Sequence, residues 1–153
     1  MISLKQFWEK LKSLVPSGDK STSIGLSNEL GRFLTSSGHF AKTLGKVKHG
    51  AFMPNPDGEL SVFDLTGKKE KERFSIAKAY IFPNLPNGRS IYGYAENIAQ
   101  DFKNVKLEVN KFEPPPNHYN VENWPESKDE QMFIAQELAE NASLKLFNQK
   151  LTK

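Results

Sequence analysis

The stretch NVKLEVNKF, residues 104–112, alternates strictly: Val105, Leu107 and Val109 fall on one face, and Lys106, Glu108 and Asn110 on the other. A side-chain period of two is the signature of a strand with one face buried and one in water. On its C-terminal side comes EPPPNHYNVENWPE, residues 113–126, in which Pro114, Pro115 and Pro116 stiffen the backbone ahead of His118. A helix is then predicted over 127–142. Ser127 and Glu130 form a capping box, Asp129 and Glu130 suit the positive end, and Ile134, Ala135, Leu138, Ala139 and Ala142 line one face. LKLF, residues 144–147, reads as a last short strand before a polar tail at 149–153.

Toward the N-terminus, SIYGYAENIAQDF (90–102) changes period, and the strand-to-helix boundary is placed near Tyr94. Residues 68–82 read as a helix with Phe74, Ala77 and Ile81 on one side, ended by Pro83 and NLPNG. KVKHGAFM and ELSVFDL flank PNPDG, and together they read as a β-hairpin. Leu30, Phe33 and Leu34 predict a helix from Ser27 to about Ser36, stopped by Gly38. Residues 3–15 place Leu4, Phe7, Trp8, Leu11, Leu14 and Val15 at helical spacing, capped by Ser3 and followed by Pro16.

Strands and helices in mixed order imply a single α+β domain, a mainly antiparallel sheet with packed helices, preceded by an N-terminal amphipathic helix. The expected division is a helix over 1–15, a flexible linker over 16–26, the domain over 27–148 and the tail over 149–153.

With 153 residues the chain is long enough for one self-sufficient core. It holds no cysteine, which removes disulfides, thiolate metal sites and cysteine nucleophiles. No signal-peptide pattern or 18-residue apolar window is present, so a cytoplasmic protein without a membrane span is expected. The net charge of +3 is uneven: residues 1–50 carry 8 Lys/Arg against 3 Asp/Glu, and residues 101–153 carry 7 against 9. Such asymmetry suits contact with a charged partner surface better than wholesale coating of nucleic acid.

Two readings of function follow. In the first, the apolar face of the N-terminal helix, with Phe7, Trp8, Leu11 and Leu14, and the hairpin or proline-loop surface dock on a protein partner or, through the helix, on a second copy, as part of a larger assembly. In the second, His118 is the acid/base of a hydrolase or transferase for a phosphorylated or nucleotide substrate, with His39 and Arg32 in the same cleft; Arg32 would hold phosphate and the imidazoles move protons. A weaker third reading places single-stranded nucleic acid on Lys46, Lys48 and Trp124. The three histidines show no metal-ligand spacing, and no metal or cofactor is expected.

Four segments, GRFLTSSGHF, GAFMPNPDGELSVFD, SIYGYAENIAQ and PPNHYNVENWPESKDEQMFIAQELAENASL, together resemble a group of small uncharacterised bacterial proteins. The resemblance covers roughly residues 27–146 and implies a shared domain without an attached activity. It directs attention to Arg32, Phe52, Ser61 and His118. Ser61 sits in an expected strand without the strand-turn-helix elbow of a nucleophilic serine, and reads as structural.

Overall fold

The computed structural model describes residues 24–153, so the amphipathic helix expected over 3–15 lies outside the described residues. The elements run β1 (Glu29–Leu34), β2 (Phe40–Ala41), β3 (Lys46–Val47), β4 (Leu60–Asp64), α1 (Glu70–Ile76), β5 (Ser90–Ile98), α2 (Ala99–Asn104), β6 (Glu108–Lys111), β7 (His118–Glu122), α3 (Lys128–Asn141) and β8 (Ser143–Thr152). Six strands form one antiparallel sheet in the order β6-β7-β4-β1-β5-β8, and β2 pairs with β3 in a small separate ribbon. This is the α+β domain with a mainly antiparallel sheet that the alternating pattern of 104–112 calls for.

Both faces of the sheet are covered. Leu30, Leu34, Leu60, Val62, Ala95 and Val121 project to one side, where they meet Phe52, Phe102 of α2 and Leu138 of α3. Phe33, Phe63, Ile91 and Tyr94 project to the other, under Ala77 and Ile81 of the helical segment that begins with α1 and continues as a π-helical turn over Ala77–Ile81. Phe52 and Phe102 meet edge to face at 6.4 Å. Each such ring contributes roughly 1.5–3 kcal/mol through burial.

Four expectations change. Residues 29–34 form the central strand β1 rather than a helix, because Phe33 serves one core while Leu30 and Leu34 serve the other. KVKHGAFM and ELSVFDL do not pair as a hairpin: Lys46–Val47 pairs with Phe40–Ala41, His49–Phe52 is a 3-10 turn, and β4 pairs with β1 and β7. The strand expected to stop near Tyr94 continues to Ile98, where the Ile98 amide donates to the Asp101 carboxylate and α2 begins. The proline loop joins β6 to β7 as a hairpin connection, so His118 opens a strand instead of preceding a helix. The expected helix over 127–142 is present as Lys128–Asn141, with the Ser127 hydroxyl accepting from the Glu130 amide. The final strand runs from Ser143 to Thr152.

Candidate functional site

His118 is held by the loop that precedes it. Asn117 takes a left-handed conformation (φ 65°), its amide donates to the Glu113 carboxylate at 2.8 Å, and its carbonyl accepts from the Asp64 amide at 2.8 Å. The Phe112 amide donates to the His118 carbonyl at 2.9 Å, closing the first rung of the hairpin. The imidazole then has two partners: Nδ1 lies 2.7 Å from the Phe112 carbonyl oxygen, and Nε2 lies 2.5 Å from Ser61 Oγ. A carbonyl oxygen can only accept, so Nδ1 carries the proton and donates, leaving the Nε2 lone pair to accept from the Ser61 hydroxyl. Burial pushes the His118 pKa below its ordinary value, against the opposing influence of the Phe112 carbonyl and Glu113. The imidazole is therefore neutral at pH 7.

Strand alternation fixes the surroundings. Tyr119 and Val121 face the core under α2 and α3, so His118 and Asn120 face the opposite side with Ser61 and Phe63. Phe63 and Phe112 pack edge-on to the imidazole at 5.2 and 6.0 Å. Asn120 stands directly opposite Ser61 in the β4–β7 register. It is 4% exposed. Glu122, two residues further along the same face, has Oε1 buried without a partner among the described residues.

Arg32 and His39 lie elsewhere. Arg32 alternates with Leu30 and Leu34 and so faces the α2–α3 side. Its Nε donates to the Ala51 carbonyl at 3.0 Å and its Nη1 to the Ser61 carbonyl at 3.1 Å. The β1–β4 ladder closes only at Leu30–Asp64 and Gly31–Phe63, and Arg32 satisfies a carbonyl where the two strands part. Burial brings its pKa down to about 10. The His39 ring lies against Gly50, where a Cβ would stand 3.2 Å from Cδ2. Its pKa is lowered by burial, then by Arg32 and Arg89. Thus Arg32 neighbours His39 on one face, and His118 meets Ser61 on the other.

A third polar cluster escaped sequence reading. Arg73 of α1 is 9% exposed and uses every donor it has: Nε to the Lys68 carbonyl, Nη1 to Tyr94 and Glu96, Nη2 to Glu29 and the Leu65 carbonyl. Burial alone would lower its pKa, but the bonds to Tyr94, Glu29 and Glu96 win and raise it. The Tyr94 hydroxyl, buried and donating to Glu70, is pushed up to about 12. A signal did exist: Arg73 stands four residues before Ala77, on the inward face of a segment otherwise rich in solvated charge.

The remaining sequence candidates are scattered. Lys46 and Lys48 are exposed beside the β2–β3 ribbon. Trp124 is half-buried against the larger core, with its indole N–H donating to the Val121 carbonyl at 3.0 Å. Phe7, Trp8, Leu11 and Leu14 lie outside the described residues. On α3, Phe133 is 75% and Met132 39% exposed. Lys68, Lys71, Ser75, Tyr80 and Asn117 border an open cleft of about 320 Å³. Among the described residues no group of His, Asp and Glu is arranged to hold a metal ion, and no helix is long and apolar enough to cross a membrane. Compared with known protein families, curated proteins and solved structures, the chain matches none.

Proposed function

We propose that the protein is an accessory module that docks on a protein partner through the outward face of α3, together with the apolar face expected for residues 3–15. The observation that carries this reading is Phe133, three-quarters exposed beside Met132 on an ordered helix. Asp129, Glu130 and Glu137 stand four and three residues before Phe133 and four after it, so carboxylates collar the ring. The partner this face fits presents an apolar pocket edged by Lys or Arg, where an aromatic anchor supplies affinity and the charged rim supplies rate and register.

The test is capture by the intact tagged chain from its native cell, followed by reconstitution with the purified captured protein. Phe133→Glu, which leaves the buried side of α3 untouched, should keep the circular dichroism of the wild type and weaken binding at least tenfold; wild-type association should slow as salt rises. A reconstituted partner that binds Phe133→Glu as tightly as the wild type overturns this assignment of the surface.

A further inference from the structure

The second polar centre of interest lies on the opposite side of the sheet from α3 and is independent of docking. Ser61, His118 and Asn120 come from two neighbouring strands and share one face. The β4–β7 pairing is made by the backbone, so it does not depend on a hydroxyl at Ser61. The imidazole is fixed at Nδ1 by the Phe112 carbonyl, and its Nε2 is held on the serine hydroxyl. Asn120 stands opposite that hydroxyl on the same face, 4% exposed, and among the described residues Glu122 Oε1, two residues on, is buried without a partner. Buried polar groups without partners are rare enough to need an occupant.

We propose that Ser61 is a nucleophile activated by His118, with Asn120 as the oxyanion donor, in a site for carboxylic esters. The chemistry closes on these residues and water. Ser61 Oγ attacks the ester carbonyl carbon, its proton passes to His118 Nε2, and the carbonyl electron pair moves onto oxygen, where the Asn120 amide donates to it. Collapse breaks the bond to the leaving oxygen, which takes the proton from Nε2 and departs as the alcohol. Water then attacks the acyl-serine with His118 again as base, releasing the carboxylic acid and restoring Ser61. The Phe112 carbonyl takes the place of the usual carboxylate, fixing the tautomer without adding a negative charge.

The experiment treats the full chain with a fluorophosphonate, which phosphonylates activated serines with loss of fluoride, and follows intact mass and peptide maps. The expected result is one adduct per chain on Ser61. It should be absent in Ser61→Ala and at least 100-fold slower in His118→Asn, with the wild-type rate falling in acid as His118 protonates. p-Nitrophenyl acetate should give a burst of nitrophenolate matching the adduct, reduced about tenfold in Asn120→Ala. Thermal melts establish that each variant folds, and the wild-type peptide map stands even if one does not. No adduct on the folded wild type, or an adduct elsewhere than Ser61, overturns the proposal.

Discussion

His118 and His39 are both less basic in the fold than in the unfolded chain, where an imidazole titrates near the ordinary value of 6.5. The unfolded state therefore takes up protons first as pH falls. Stability contributed by the two neutral imidazoles is full above about 6.5, declines below it, and is lost once the pH has passed the lowered native values. Urea midpoints measured between pH 8 and pH 5 should fall with acid, and His118→Asn should flatten that slope whatever it does to stability at pH 8. Arg73 gives a different residue-scale outcome. Arg73→Ala should cost about 3 kcal/mol, since it leaves Glu96, Tyr94 and two carbonyls without their donor. Adding Glu96→Gln should recover part of that loss by removing the stranded charge, and equal midpoints for the single and double variants would contradict the reading. Sequence singled out Ser61 and His118 separately. Their meeting depends on a register between residues 57 apart, which local pattern does not encode.

At the scale of elements, legibility followed one-sided burial. The strand at 108–111 and the helix at 128–141 each bury one face, so their periods of two and of 3.6 show in the sequence. Strand β1 is central and buried on both sides, and Leu30, Phe33 and Leu34 then imitate helical spacing. The hairpin reading of 46–65 failed for a related reason: PNPDG does make a turn, with the Gly58 amide donating to the Asn55 carbonyl, yet the sequence before it is held in a 3-10 turn by Arg32. Gly93 marks the register shift between β5 and β8, and a Cβ there would stand 2.1 Å from the Lys145 carbonyl oxygen. Gly93→Ala should therefore loosen β8 selectively. Hydrogen exchange of the amides of residues 143–152 should speed by at least tenfold while that of β4 and β7 changes little; a uniform change across the sheet would show that the effect is global.

For the whole molecule, the sheet sets one chemistry apart from two others on its opposite face. α3 offers its exposed ring on one side, the Ser61–His118 centre lies on the other, and the Arg73 cluster ties α1 to β1 and β5. The class of the fold was readable because alternating strands and capped helices in mixed order admit few arrangements. The strand order was not, because β1 finds its partners β4 and β5 across 32 to 69 residues. That central position bears on birth of the chain at the ribosome. Leu30, Phe33 and Leu34 leave the exit tunnel before anything that covers them, and their two faces are not both sheltered until the last helix, Lys128–Asn141, has followed. During that interval the nascent segment is a sticky, unsheltered ribbon, a natural perch for a holding chaperone.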